Sequence, residues 1–183
     1  MIQVANLFKS FRGQQVLRGV NLEFATGKIT TIVGTSGCGK TVLLKHLNAL
    51  YLPDAGEIFI DGVDITKLRQ KELYEIRSKF GLLFQGAALL DSLTVFDNVA
   101  FPLREKTRMT ESEIKKKVDS RIEQVGLGKM GAKFPAELSG GMKKRAGLAR
   151  ALATDPEIVL FDEPTTGLDP VLATSIHQLI ART

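Results

Sequence analysis

Two glycine-rich segments of the chain contain residues suited to binding phosphate. Residues 34–41 fit the pattern Gly-x-x-x-x-Gly-Lys-Thr, in which backbone N–H groups surround phosphates and a lysine neutralises their charge. Residues 138–142 read Leu-Ser-Gly-Gly-Met and precede a predicted helix. One nucleotide does not need two such segments from the same molecule. The second segment is therefore expected to face a nucleotide held by a second copy of the chain.

The elements predicted around the first segment agree with a nucleotide-binding loop. Residues 29–33 are predicted to form a buried strand leading in, and residues 42–50 a helix leading out. The loop amides and the positive end of that helix would converge on one anion. Lys40 is expected to pair with the terminal phosphates, and the Thr41 hydroxyl to ligate Mg²⁺. A glycine-rich turn that binds nothing is the alternative. The predicted ATP-binding residues are Gly34, Thr35, Ser36, Gly37, Cys38, Gly39, Lys40 and Thr41.

The second segment predicts a capped helix that is open to phosphate. Ser139 is a suitable N-cap for a helix over residues 141–153, and Gly140 and Gly141 would let a phosphate approach bare backbone amides. These three residues are the predicted nucleotide contacts. The cationic run over residues 143–145 adds positive charge nearby, but such a run is also typical of a solvated helix face. Alone, the segment would equally fit an ordinary capped helix.

Two acidic residues, Asp162 and Glu163, directly follow four apolar residues. Residues 158–161 predict a strand buried on both faces of a parallel sheet, and ligands bind at the carboxyl ends of such strands. Asp162 is expected to hold Mg²⁺ through its water shell. Glu163 is expected to polarise the attacking water as a general base. A buried strand finished by a capping carboxylate is the alternative interpretation.

In this order, the three segments resemble those of the nucleotide-binding domain of an ABC transporter. Residues 34–41 match the Walker A motif of that family, residues 138–142 its signature motif, and residues 158–163 its Walker B motif with the catalytic glutamate. The resemblance runs along the whole chain. It implies an α/β fold of the P-loop NTPase class, with a RecA-like parallel sheet core. It also implies a head-to-tail homodimer that hydrolyses ATP to power transport across the inner membrane.

The resemblance also assigns roles to three positions that carry little signal alone. Gln85, after an apolar strand predicted over residues 80–84, matches the glutamine that contacts Mg²⁺ and relays movement to the membrane subunit. Asp169 matches the D-loop, which lies along the dimer interface. Phe11 falls where the family places an aromatic that stacks on adenine, although a structural aromatic of the N-terminal sheet is a competing interpretation.

Two features point to a subfamily and its partners. Met142 stands where the signature usually has glutamine, and residues 82–90 and 95–103 are similar to the Mla/Mce-type ATPases of bacterial lipid transport. This similarity implies phospholipid as the cargo, with integral membrane permease subunits and a solute-binding subunit as partners. It implies a cytoplasmic protein, peripheral on the inner face of the plasma membrane, with no nucleic-acid partner.

Composition agrees with one domain built from subdomains. The 183 residues are 44% apolar, and no apolar run approaches the roughly 20 residues that span a bilayer. The net charge of +5 fits anionic lipid and weak nucleic-acid binding equally. We expect an antiparallel β subdomain over residues 1–25 and 56–65, with a hairpin turn at Asp61-Gly62. A nucleotide core is predicted over 26–55 and 154–183, and a helical signature subdomain over 87–153, including a capping box from Thr110 to Glu113.

One family element, the switch histidine, is absent from the sequence. In the family it follows Walker B after one more helix and one more strand, and Thr183 comes before that point. The 183-residue chain is therefore expected to bind nucleotide but to hydrolyse it poorly. His177, in a helix predicted over residues 174–182, is expected to be a bystander, as is His46.

Other functions of phosphate-binding chains fit less well. Soluble ABC-type ATPases of chromosome structure would need long heptad repeats, and those of DNA repair need cysteine zinc sites. A translation factor would carry two such domains, and a P-loop kinase has no use for a signature motif. A nucleotide-binding fragment with little hydrolysis remains an alternative.

Overall fold

A computed structural model describes residues 1–181 of the chain. These residues form two compact units, one up to Ser78 and one from Lys79 on. The predicted grouping of residues 26–55 with 154–183 into one nucleotide core stays a prediction, and Arg182 and Thr183 lie outside the described residues.

The first unit is built on an antiparallel sheet, as the sequence predicts. Its strands are β1 (Ile2–Phe11), β2 (Gln14–Phe24), β3 (Ala55–Ile60) and β4 (Val63–Asp64), in the order β2-β1-β3-β4. Helix α1 (Lys40–Leu47) lies between β2 and β3 in the chain, and helix α2 (Gln70–Ser78) follows β4. Asp61 and Gly62 both have positive φ, 50° and 81°, which is the geometry of the tight hairpin expected there.

The strand predicted over residues 29–33 is wrong. This segment has no regular secondary structure, and Ile29 and Val33 are 72% and 89% exposed. An apolar run becomes a strand only when a neighbouring strand accepts and donates its backbone hydrogen bonds. None of the described strands pairs with these residues. The run is therefore neither paired with another described strand nor buried.

The helix after the phosphate loop is shifted from its predicted range of 42–50. It starts at Lys40, directly after the loop, and ends at Leu47. Ala49 has a φ of 57°, and the Asn48 side chain accepts a hydrogen bond from the Leu50 amide, so the chain turns away three residues early.

The second unit packs helices against a short parallel sheet. Strands β5 (Phe80–Leu83) and β6 (Ile158–Phe161) pair in parallel from Phe80 beside Ile158 to Leu83 beside Phe161. The helices are α3 (Val95–Lys106), α4 (Glu111–Gln124), α5 (Gly140–Leu152) and α6 (Pro170–Ile180). The parallel pair confirms the predicted core type, with two strands among the described residues. Leu160 is buried, whereas Ile158, Val159 and Phe161 are only partly buried, so this strand is less enclosed than expected.

Local sequence signals set most helix ends in this unit. Thr110 and Glu113 form the predicted capping box, and α4 stops before Gly126, whose φ is 71°. Helix α6 begins at Pro170, four residues before its predicted start, because Asp169 caps it. Gly81 lets α5 approach β5, since a Cβ there would lie 2.3 Å from the Ala151 carbonyl oxygen. No helix in residues 1–181 has the length and apolar character to cross a membrane.

Candidate functional site

The phosphate loop lies in the first unit and leads directly into α1. Gly37 and Gly39 have φ values of 78° and 102°, which other residues rarely adopt. A Cβ on Gly39 would also lie 3.1 Å from the side chains of Leu17 and Val16. Both conformation and space therefore require glycine at Gly39. Residues 34–38 are exposed, so their backbone can be approached by a ligand.

Lys40 is held inside this loop. Its Nζ donates to the Gly34 and Thr35 carbonyl oxygens, each over 2.9 Å. The ammonium group is thus fixed where the loop turns around it. An anionic phosphate is a stronger acceptor than a neutral carbonyl, so a bound phosphate can take over these hydrogen bonds.

The start of α1 is free of competing negative charge. The helix has no side-chain N-cap and no acidic residue in its first turn. The helix itself therefore places no carboxylate at the positive end of its dipole, where an anion is favoured. Cys38 is exposed beside this end, and its Sγ lies 2.6 Å from where a Cβ on Gly34 would be. The absence of a side chain at Gly34 thus leaves room for the Cys38 thiol.

Phe11 ends β1 and is 38% exposed. Its ring meets the Tyr51 ring edge-on, with centroids 5.6 Å apart, and the Lys9 ammonium lies 5.6 Å from its centroid. The ring is thus supported by Tyr51 and still partly open to solvent. Stacking of Phe11 on adenine stays a prediction.

His46, on α1, is fully buried. Its Nδ1 is 2.7 Å from the Val42 carbonyl oxygen of the same helix, and its ring packs edge-on against Tyr51. Burial lowers the pKa of His46, and the Val42 carbonyl partly opposes this effect. The ring therefore supports the packing of α1 and has no access to a ligand at the loop.

Gln85 and Glu163 meet in the second unit, where they follow β5 and β6. The Gln85 Nε2 donates to Glu163 Oε2 over 2.9 Å, and the Thr166 hydroxyl donates to the same oxygen over 3.1 Å. Among the described residues, nothing donates to Glu163 Oε1. Two donors thus fix the carboxylate direction through one oxygen and leave the other to accept a proton.

The segment over residues 138–142 forms the start of α5, as predicted from Ser139. The Ser139 hydroxyl accepts the Met142 N–H over 3.3 Å, so the helix begins at Gly140, one residue before its predicted start. Ser139 and Gly140 are exposed, whereas Gly141 is buried. A Cβ on Gly141 would lie 3.2 Å from Leu172 on α6. The exposed end of α5 can therefore be approached by a second molecule.

A comparison of the whole sequence with known families supports the interpretation of these motifs as parts of one nucleotide-binding domain. The family model described as ABC transporter matches residues 17–166. The chain belongs to the ABC transporter family. This result confirms the resemblance of the three motifs, which all fall inside the matched range.

Relatives of this ABC domain are named as ATP-binding proteins of different transport systems. It is 51% identical over 179 residues to "Probable ribonucleotide transport ATP-binding protein mkl" of Mycobacterium leprae, covering 98% of this chain and 52% of that protein. It is 50% identical over 184 residues to the intermembrane phospholipid transport system ATP-binding protein MlaF of Haemophilus influenzae, covering 100% and 69%. The methionine import ATP-binding protein MetN of Carboxydothermus hydrogenoformans is 46% identical, with 99% and 54% covered. The chain thus spans about half the length of the first and third relatives.

A solved structure has the same fold as this ABC domain. It is a dimeric ATP-binding cassette in a post-hydrolysis state bound to ADP and Pi, with a TM-score of 0.92 and 35% sequence identity. The match covers 100% of this chain and 82% of that chain. The predicted P-loop NTPase fold is therefore confirmed.

The carboxylates of this ABC domain suit a nucleotide-bound Mg²⁺. No three His, Cys, Asp or Glu side chains group as metal ligands in the described part of the chain. Mg²⁺ beside phosphates keeps several waters and takes only one or two carboxylates, so a single acidic ligand is sufficient. Asp162 directly follows β6, is 5% exposed, and its N–H donates to the Leu83 carbonyl. The Gln85 Nε2 is engaged by Glu163, which leaves the amide oxygen for a cation.

Sequence reasoning missed the structural roles of several residues in this ABC domain. Lys144 lies in a run interpreted as a solvated face, but it is 7% exposed and donates to the carbonyls of Glu163 and Thr166. Lys144 follows Gly141 by three positions and precedes Leu148 by four, and all three are buried. This helical spacing is a signal that could have found it.

Asp169, predicted as a D-loop residue, also has a local role. Its Oδ1 accepts hydrogen bonds from the Val171 and Leu172 amides, each over 3.0 Å, and so caps α6. Its place at a dimer interface stays a prediction. Arg145, from the same cationic run as Lys144, donates to the Ser175 hydroxyl over 2.8 Å and to the Val125 carbonyl over 3.3 Å, so it is a structural contact too.

Proposed function

We propose that the chain is the ATP-binding and ATP-hydrolysing part of a membrane transporter, acting as a head-to-tail dimer. The observation that carries this proposal is the hydrogen bond from Gln85 to Glu163 in a member of the ABC transporter family. It orients a carboxylate at the carboxyl end of a parallel strand, where a general base for water is useful.

The phosphate loop supplies ATP binding. Exposed backbone N–H groups of residues 34–38 and the start of α1 attract the phosphates. Lys40, preset by two carbonyls, neutralises the terminal phosphates. Phe11 stacks on the adenine, and the edge-on contact with the Tyr51 ring supports Phe11.

Hydrolysis follows from the orientation of Glu163. Glu163 Oε1 accepts a proton from the attacking water while Gln85 and Thr166 keep the carboxylate in place through Oε2. When bound, Mg²⁺ neutralises charge that develops on the phosphate oxygens. The Thr41 hydroxyl, the Asp162 carboxylate and the Gln85 amide oxygen are its proposed ligands.

The exposed start of α5 supports the proposed dimer. Ser139 and Gly140 face solvent, and the cap leaves first-turn amides available to an anion. In the dimer, Ser139, Gly140 and Gly141 contact the ATP bound to the partner's phosphate loop, and Asp169 lies along the interface. The structural relative bound to ADP and Pi is itself dimeric.

The transporter context comes from the family and the relatives. Permease subunits would place the domain at the cytoplasmic face of the inner membrane, and a solute-binding subunit would deliver the cargo. Phospholipid is the proposed cargo, since a relative at 50% identity has a phospholipid transport name. Lipid analysis of the membrane complex co-purified with the protein tests this, and a complex that holds no phospholipid above the level of a mock purification would reject it.

Three variants test hydrolysis and binding separately. Glu163→Gln is expected to bind a fluorescent ATP analogue like the wild type but to lose at least about 100-fold in turnover. Lys40→Ala should lose nucleotide affinity, whereas Lys116→Ala, at an exposed position of α4, should behave as the wild type. Undiminished hydrolysis by Glu163→Gln, or no nucleotide binding by the wild type, would reject the proposal.

A further inference from the structure

Lys144 is a buried cation on α5 whose described partners are backbone carbonyls. Its side chain is 7% exposed, and Nζ donates to the Thr166 carbonyl oxygen over 2.7 Å and to the Glu163 carbonyl oxygen over 3.2 Å. Burying an ammonium group costs free energy unless hydrogen bonds replace its water. Burial lowers the pKa of Lys144, and the nearby Glu163 carboxylate partly opposes this. The Lys144 ammonium is therefore a buried charge whose hydrogen bonds hold the Glu163 and Thr166 carbonyls in place.

The two carbonyls lie at either end of the turn that carries Glu163. The Thr166 amide donates to the Glu163 carbonyl over 3.3 Å, and the Thr166 hydroxyl reaches the Glu163 carboxylate. Glu163 itself has a φ of 47°, a conformation that costs a non-glycine residue free energy and persists only when its surroundings hold it. Lys144 supplies two of the hydrogen bonds that hold this turn.

A second cation of α5 holds the loop that carries Gln85. Arg150 donates to the Ala87 and Ala88 carbonyl oxygens, each over 2.8 Å. Ala87 and Ala88 have φ values of 67° and 46°, so this loop is strained as well. One helix therefore fixes the loops on both sides of the hydrogen bond between Gln85 and Glu163.

We propose that Lys144 and Arg150 are positioning residues through which α5 sets the hydrogen bond between Gln85 and Glu163. The proposal rests on the proposed function, in which Glu163 is the general base. Neither cation touches the proposed reacting atoms; each acts through carbonyls of the loop it holds. Because Ser139 caps the exposed start of α5, a displacement of this end changes the geometry at Glu163.

Hydrogen exchange of the purified chain tests the positioning without requiring turnover. In Lys144→Met, the Thr166 amide is expected to exchange about tenfold faster, since its turn loses two charged hydrogen bonds. Lys144→Arg keeps charge and donors and should preserve the protection. Lys116→Met, the same change at an exposed position, should leave it unaltered. Exchange of α4 amides shows whether each variant is folded.

A milder variant covers the case in which Lys144→Met fails to fold. Arg150→Lys keeps the charge, but a shorter side chain with one ammonium replaces the planar guanidinium whose two terminal nitrogens each reach one carbonyl. It should speed exchange of the Ala87 amide, which donates to the Phe84 carbonyl over 3.0 Å. Unchanged exchange at Thr166 in folded Lys144→Met, or at Ala87 in Arg150→Lys, would overturn the proposal.

Measuring ATP turnover tests whether the positioning by Lys144 affects catalysis. For Lys144→Met we expect kcat to fall by about 10- to 100-fold, with KM for ATP nearly unchanged and with recovery in Lys144→Arg. A loss that resides in KM would overturn the proposal, because the residue would then act on nucleotide binding. A wild type that hydrolyses no ATP would reject the proposed function, whereas the exchange results would still decide the positioning role.

Discussion

The Gln85 side-chain amide donates a hydrogen bond to the Glu163 carboxylate over 2.9 Å, although 78 positions separate them in the chain. Parallel pairing of β5 with β6 brings the two residues together, because each follows the carboxyl end of its strand. Replacing the amide should therefore disturb the direction of the carboxylate and also remove the proposed Mg²⁺ ligand of Gln85.

Gln85→Leu is expected to lower kcat for ATP by about 10- to 100-fold, since Glu163 loses a donor that fixes its direction. Steady-state turnover and equilibrium binding of a fluorescent ATP analogue measure the two effects separately. Gln178→Leu, at an exposed position of α6, is the matched control and should hydrolyse ATP like the wild type. Equal turnover in Gln85→Leu and Gln178→Leu would show that the hydrogen bond has no catalytic role.

Gly39→Ala should both destabilise the protein and abolish ATP binding. An alanine at a φ of 102° is strained, and its Cβ would press on Leu17 and Val16. We expect a loss of about 1–3 kcal/mol in the free energy of unfolding, measured by urea denaturation. Gly27→Ala is the control for strain alone, because no atom lies within 4 Å of its Cβ position. ATP binding that survives Gly39→Ala would argue against the loop as the phosphate site.

ATP is expected to protect Cys38 from alkylation. The thiol is exposed and is the only one in the sequence, so labelling reports on the phosphate loop directly. Mass spectrometry should show slower modification by iodoacetamide at saturating Mg-ATP than without nucleotide. Lys40→Ala, which weakens ATP binding, should lose this protection. Equal labelling of the wild type with and without nucleotide would contradict ATP binding at this loop.

Stability should fall as the pH drops below about 6.5, partly through His46. Burial lowers the pKa of His46 in the folded chain, so the unfolded chain takes up the proton first. The stabilisation from neutral His46 is complete above the unfolded pKa and is lost as pH falls towards the folded pKa. Lys9 further disfavours the charged ring, whereas Asp54 favours it.

The variant His46→Asn keeps a donor for the Val42 carbonyl but cannot titrate. Its melting temperature should depend less on pH than that of the wild type between pH values of about 7 and 5.5. His177→Asn, at an exposed position, should keep the dependence of the wild type. Identical profiles for the wild type and His46→Asn would show that His46 does not carry the effect.

Helix caps were predictable from the sequence, whereas the pairing of strands and the burial of side chains were predictable only in part. The capping box at Thr110 and the N-cap at Ser139 depend on neighbouring residues, and both form as expected. The strand predicted over residues 29–33 depends on a partner strand that no local pattern specifies. Lys144 was missed for a related reason: charge indicates a solvated face, whereas the carbonyls that hold it come from distant residues.

In the candidate site, too, local sequence patterns were predictable and contacts between distant residues were not. Residue types and spacing located Lys40 and Glu163, because glycines before a lysine and acids after an apolar strand have distinct chemistry. The hydrogen bond from Thr166 to Glu163 was not predictable, since it depends on the strained φ of Glu163. Motifs therefore located the candidate functional residues, and the structure shows which hydrogen bonds orient Glu163.

The mass of Glu163→Gln with saturating Mg-ATP, measured by sedimentation velocity, shows whether two chains share the bound nucleotide. An ATPase whose dimer holds ATP between the phosphate loop of one chain and Ser139 of the other should sediment as a dimer with ATP and as a monomer with ADP. The double variant Glu163→Gln with Lys40→Ala should remain monomeric in both. A Glu163→Gln protein that binds ATP yet stays monomeric would contradict a nucleotide site shared between two chains.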